Sequence, residues 1–225
     1  MNNFLRKVKD NWRAATADKV FLQCLIIGLL VSSIIVVAQP AFYRHIEARN
    51  GVVLHDFLLN KITPYNVSVP IFIIIWGMIF LGIVRSLITP RIFLHYMMGF
   101  IVITFLRIIC LSTIALDPPI GIVELKDPFT DLFYGGVFIT KDLFFSGHTA
   151  TLILLTLALE KKRDKVLCIT AATIVGCLLL VQHVHYTIDV IAAPVFAWVG
   201  YISGQKILAF FRLKYLQSAL STQEE

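Results

Sequence analysis

Charge is what this sequence has least of. Only 15% of its 225 residues are Asp, Glu, Lys or Arg, and 58% are hydrophobic; a soluble domain carries about 25% and 45–50%. The shortage is concentrated in apolar runs of about 16–25 residues, the length that crosses a hydrocarbon core. These runs also lack polar alternation, which excludes a spanning barrel, whose strands alternate with period two. Cysteine is scarce. Cys24, Cys110, Cys168 and Cys177 all lie inside apolar runs, which excludes a disulfide framework and leaves buried free thiols. No internal repeat and no low-complexity segment is evident. No cleavable signal peptide is evident either, because the first apolar run is long for one and reads as a retained span. No His, Cys or acid cluster has metal-ligand spacing, so no metal or other cofactor is expected. The fold class is all-α: a polytopic helical membrane protein.

Six transmembrane helices are expected. Residues 1–19 are basic, with Phe4, Leu5, Val8 and Trp12 at helical spacing, and predict a short amphipathic helix on a membrane surface. The membrane domain covers 20–214. Span 1 runs over 20–38 and ends near Pro40; a mixed loop over 41–66 follows along the interface. Spans 2 and 3 cover 67–88 and 92–116. A polar loop over 117–142 carries Asp117, Glu124, Asp127, Asp131 and Asp142. Spans 4, 5 and 6 cover 143–159, 166–181 and 187–211, and 215–225 is a polar tail.

The net charge of +6 does not point to nucleic acid, because the positive residues cluster at helix ends. Of the 20 Lys and Arg, 14 fall on the side that holds both termini, 5 on the other, and Arg107 lies in a span. Positive residues stay cytoplasmic, so both termini are expected there. Ser146-Gly147-His148-Thr149 and His185-Tyr186-Thr187-Ile188-Asp189 then reach the same, exoplasmic face.

Those two segments carry the chemistry. His185 and Asp189 are four apart, a spacing that stacks side chains on a helix. The carboxylate can fix the imidazole tautomer and leave the other nitrogen as nucleophile or general base. A structural pair tying two helices is the other reading. Ser146 is a good N-cap, Gly147 permits close backbone approach, and the first N–H groups of the helix with Thr149 offer a phosphate site. His148 there could protonate a leaving oxygen. Arg107 sits in an otherwise apolar span. It could contact a phosphate by a bidentate bond, or pair with an acid such as Asp142. Nine residues before Leu116, it would lie about 14 Å below that end of span 3, so a deep pocket is expected unless span 3 ends sooner. His183 reads as a loop residue. A transporter is a further class, but it would favour repeats and broken helices near mid-membrane.

From Arg91 to Phe211 these residues resemble the sphingomyelin synthase branch of the lipid phosphate phosphatase (PAP2) superfamily. Asp142-Leu143-Phe144-Phe145-Ser146-Gly147-His148-Thr149 and His183-Val184-His185-Tyr186-Thr187-Ile188-Asp189-Val190 are similar to its two catalytic segments. Arg91, Gly99, Arg107, Thr113 and Leu116-Asp117-Pro118-Pro119 are similar to a third. The resemblance implies a PAP2-like six-helix bundle with His148, His185 and Asp189 as catalytic triad. Arg107, Ser146, Gly147, Thr149 and Tyr186 would bind or support the phosphate. Asp142 would support His185, and Glu124 is the chosen acid to support His148. The implied reaction moves a phosphocholine or phosphoethanolamine headgroup from a phospholipid to ceramide or a diacylglycerol-type acceptor, in the bilayer, through a histidine-based intermediate. The alternative is a phosphatase or phospholipase C-type hydrolase with water as acceptor. Leu179 stands six before His185, where ordinary phosphatases of the superfamily carry Arg, which points away from a plain phosphatase.

Overall fold

The computed structural model describes residues 3–125 and 139–221. Lys126, Asp127 and Asp131 of the expected polar loop lie outside the described residues, as does the end of the tail. Seven α-helices are present among the described residues: α1 (Asn3–Ala17), α2 (Lys19–Glu47), α3 (Ser68–Ile88), α4 (Pro90–Thr113), α5 (Gly147–Ala158), α6 (Lys162–Val181) and α7 (Thr187–Ser221). Six are apolar, as the sequence predicts. Five of them (α2, α3, α4, α6 and α7) are long and apolar enough to cross a membrane. The outward side chains match that setting: Val37, Ile73 and Phe80 are 80%, 68% and 69% exposed.

α5 departs from expectation. It has 12 residues, about 18 Å of helix against a core of roughly 30 Å. Leu143–Phe145 continue the apolar run in sequence but are not helical. Span 1 does not end near Pro40 either. α2 runs through that proline to Glu47; prolines are tolerated in membrane helices because neighbouring groups re-satisfy the freed backbone. The added turns reach the site: the Glu47 carboxylate accepts from the N–H groups of Thr140 (2.6 Å) and Lys141 (2.7 Å) and from the Thr140 hydroxyl (2.9 Å). α4 stops at Thr113, not Leu116, and α7 continues beyond 211 to Ser221.

α1 joins the bundle through its polar groups. The Asn11 amide donates to the Ile88 carbonyl (2.6 Å) and the Trp12 indole N–H to the Leu87 carbonyl (3.1 Å), satisfying the orphan carbonyls at the end of α3. Asp18 caps α2, accepting from Val20 and Phe21. At the same end Arg85 of α3 grips Asp164 of α6 with two bonds, of 2.6 and 3.0 Å.

The closest packing joins α4 to α7 along a glycine seam. A Cβ at Gly204 would lie 2.8 Å from the Gly99 nitrogen, and one at Gly200 would lie 3.2 Å from the Gly99 carbonyl oxygen. Without a hydrophobic force between helices in lipid, small residues at i and i+4 let backbones touch and gain dispersion. α4 carries Arg107 and α7 carries Asp189, so this seam sets how those helices face each other.

Gly204→Leu puts a side chain into backbone that cannot move aside. We expect a loss at or above the upper end of ordinary overpacking, about 3 kcal/mol. Thermal unfolding of the purified protein in detergent should fall by about 2–4 °C per kcal/mol for a chain of this size. Gly77→Leu, where a Cβ meets nothing within 4 Å, should leave the midpoint unchanged.

Candidate active site

Asp189 is the hub. It is in the first turn of α7 and has 0% exposure. One carboxylate oxygen accepts from the Phe144 N–H (3.1 Å). The other accepts from the Tyr186 N–H (3.0 Å) and lies 3.2 Å from His185 Nδ1. Its carbonyl oxygen accepts from the Ser146 N–H (3.0 Å). One residue therefore binds both signature segments, by side chain and by backbone. The back-bond to Tyr186, the residue before the helix, is the reciprocal half of a capping box. His185 lies in the turn before α7. Its meeting with Asp189 comes from cap geometry, not from the helical stacking that the spacing suggested. A proton on Nδ1 satisfies this bond and leaves Nε2 with its lone pair.

Ser146 caps α5: its hydroxyl oxygen accepts from the Thr149 N–H (3.3 Å), and the two hydroxyls lie 3.1 Å apart. The segment before it is held under strain. Phe144 has φ 103°, a genuine outlier for a bulky residue, costing on the order of 1–3 kcal/mol. Its N–H bond to Asp189 and the rings of Phe144 and Phe145 against Phe196 (5.9 and 4.3 Å between centroids) hold it there.

Arg107 faces this turn from α4. It donates to the Phe145 carbonyl and to the Asp142 carboxylate, and its guanidinium lies 5.1 Å from the Phe145 ring centroid. A Cβ on Gly147 would come within 3.0 Å of its central carbon, so glycine makes the approach possible. The end of α4 at Thr113 leaves Arg107 six residues, about 9 Å, from that helix end. Arg107, Asp142, Tyr43, Gly147 and His148 line a cavity of about 210 Å³ whose other wall is Phe100, Ile103 and Leu111. His148 is half-buried there, with Phe72 edge-on to its ring at 6.2 Å.

The first turns of α5 and α7 are sunk below the end of α6. A Cβ on Gly176 would meet Val190 at 2.8 Å and Thr149 at 3.6 Å, and Gly176 is five residues, about 8 Å, before the end of α6 at Val181.

Two expected roles change, those of Asp142 and Tyr186. Asp142 does not reach His185: its carboxylate joins Arg107 and accepts from the Tyr43 hydroxyl (3.3 Å), and Asp189 holds His185 instead. The Tyr186 hydroxyl is directed at the loops, donating to the Asp117 carbonyl (2.8 Å) and accepting from the Leu54 N–H (3.1 Å). Glu124 is placed by its backbone, where its carbonyl accepts from the Gln182 amide (2.9 Å). His183 is a loop tie, its ring nitrogens 2.9 and 3.0 Å from the carbonyl oxygens of Ile120 and Ile62.

Asp56 was not anticipated. It comes from the loop after α2 and accepts from the Thr187 N–H (2.6 Å) and hydroxyl (2.9 Å), and from the N–H groups of Leu58 (3.0 Å) and Leu59 (3.1 Å). It thus caps α7 from 131 positions away. A parallel bridge between Val52 and Leu116 pins this loop to the end of α4. No motif could have marked a lone loop acid. Burial pushes the Asp56 carboxyl up, but the bonds from Thr187, Leu59 and Leu58 outweigh it and hold it below the ordinary value.

Fold and site together define a polytopic helical membrane protein whose two histidine-bearing turns share one carboxylate. Residues 141–204, which contain both turns, match the family model described as PAP2 superfamily C-terminal. Over that stretch the chain is similar to this superfamily. No curated protein and no solved structure matches the chain.

Because its folded pKa is lowered, Asp56 stabilises fully above the free value of 3.8 and loses its effect only as pH falls through a lower value. Its tether should therefore be insensitive to pH across the neutral range. In Asp56→Ala, loss of a cap worth about 0.5–2 kcal/mol should speed hydrogen exchange of residues 183–190 roughly 2- to 30-fold.

Proposed function

We propose that this protein transfers a phospho-headgroup from a phospholipid to a lipid alcohol, ceramide in the leading case, and releases diacylglycerol. The observation that carries the reading is Asp189, which bonds the turn of His185 and the turn of His148 into one unit. Phosphoryl-transfer chemistry on lipids is what the similarity to the PAP2 superfamily supports. The sphingomyelin synthase branch is our narrower reading, resting on the resemblance of the two segments and on Leu179.

His185 Nε2 attacks the phosphorus while Asp189 holds the proton on Nδ1. A P–N bond forms and the P–O bond to diacylglycerol breaks. His148 gives its proton to the departing alkoxide. The acceptor hydroxyl then attacks phosphorus, His148 takes that proton back, the P–N bond breaks and His185 is regenerated. The first N–H groups of α5, with Ser146, Gly147 and Thr149 shaping that turn, stabilise the charge that grows on the phosphoryl oxygens. Arg107 brings guanidinium N–H donors to the cavity of His148, and Asp142 with Tyr43 orients them. Glu124 is the acid we assign to His148. Both termini are placed in the cytoplasm and the site on the exoplasmic side, following the loop charges. With water as acceptor the same residues would hydrolyse the phosphohistidine, and similarity to a superfamily that includes phosphatases favours keeping that second reading.

The test is purified protein with a choline phospholipid, with and without ceramide. Diacylglycerol and a new choline sphingolipid should appear together, in equal amounts. His185→Ala should remove the activity, and His148→Ala and Asp189→Asn should each reduce it by about 10²–10⁴-fold. Phosphocholine without new sphingolipid assigns the hydrolase. Undiminished transfer by His185→Ala would overturn the mechanism.

A further inference from the structure

The bundle has a second polar cavity at its opposite end. It has a volume of about 280 Å³ and lies where the α1–α2 junction, the first turn of α4 and the middle of α7 meet. Asp18, Arg91, His95, Gln205 and Arg212 supply its polar groups, over Phe21, Leu94 and Leu208. Arg91 precedes Arg107 by sixteen residues of α4, and Gln205 follows Asp189 by sixteen residues of α7, so about 24 Å of helix separates this cavity from the histidine site.

Its electrostatics are one-sided. Two guanidinium groups face one lining carboxylate, which is turned to the N–H groups of Val20 and Phe21, and Glu160 lies within electrostatic range of His95. Among the described residues, neither Arg91 nor Arg212 has an acid within ion-pair distance. Thr89, which precedes α4, makes no side-chain cap bond, so the helix end beside Arg91 keeps its positive potential. Independently, the Gln205 amide nitrogen is buried and has no hydrogen-bond partner. A buried orphan donor is uncommon in a native structure. Gln205 lines the same cavity as the two arginines.

We infer that this cavity is a binding site for a phosphate-bearing anion, gripped by Arg91 and Arg212 and by the Gln205 amide. Basic pockets between membrane helices suit anionic headgroups, and the apolar floor formed by Phe21, Leu94 and Leu208 suits the stem of a lipid. A free phosphate offers the same head chemistry. The ligand would join α2, α4 and α7 at one end, the three helices that bring Tyr43, Arg107 and Asp189 to the other. The inference does not depend on which reaction the histidines perform.

The experiment uses the full chain in neutral phosphatidylcholine nanodiscs, titrated with phosphatidic acid, with the bound lipid read by native mass spectrometry and the thermal midpoint in parallel. Inorganic phosphate is titrated separately in detergent. Phosphatidic acid should be retained and should raise the midpoint. Arg91→Gln with Arg212→Gln should weaken retention roughly thirty-fold, from about 1 kcal/mol for each charge. Gln205→Leu keeps both charges and should weaken it several-fold. Lys162→Gln with Arg163→Gln removes two charges from the same end outside the cavity and should leave retention unchanged. If inorganic phosphate alone reproduces the stabilisation, with the same dependence on Arg91 and Arg212, the site takes free phosphate. Equal losses from both pairs of charge variants, or no binding of either anion, would overturn the inference.

Discussion

A single buried carboxylate holds together the end of the bundle that carries both histidine turns. Asp189 has no contact with solvent, and an unpaired charge in such a place would be strongly disfavoured. It is tolerated because two backbone N–H groups and an imidazole converge on it. The same bonds fix the strained backbone at Phe144, start α7, and present His185. Removing the carboxylate would therefore release three things at once. Its carbonyl bond to Ser146 extends that control to the start of α5.

Around this hub the charges are arranged in layers. Arg107 is half-buried beside the turn and already paired with Asp142, so its charge is balanced before any ligand arrives. The two readings of Arg107 in the sequence, phosphate contact and partner of Asp142, are compatible, since the paired guanidinium still lines the cavity of His148. Farther out, Lys141 pairs with Asp117 at 2.9 Å, and Glu47 and Asp56 bind the chain leading into α5 and the start of α7. The loops are thus tied to the site by acids, each neutralised by N–H groups or by a base.

The sequence made the helices legible wherever composition decides them. Six apolar runs became six helices, because a backbone in hydrocarbon must bond to itself. It failed where hydrogen bonding overrides composition. Leu143–Phe145 are as apolar as any span, yet they are not helical, and the N–H of Phe144 goes to Asp189, which no local pattern records. Pro40 looked like a terminator and is not one. The motif residues around His148 and His185 were readable as a pair through loop charge and spacing. Their supports were not. Asp56 and Glu47 act from 131 and 93 positions away, and spacing left Asp142 with two partners, of which the structure pairs it with Arg107 and not His185.

The glycine seam between α4 and α7 has a bearing on life in a fluid medium. Side-chain layers between helices compress and repack as a bilayer thins, thickens or warms. Backbones already in contact have no such slack. A change in the surrounding lipid would tilt the two helices as one body, and the spacing between the guanidinium on the first and the carboxylate on the second would stay as it is.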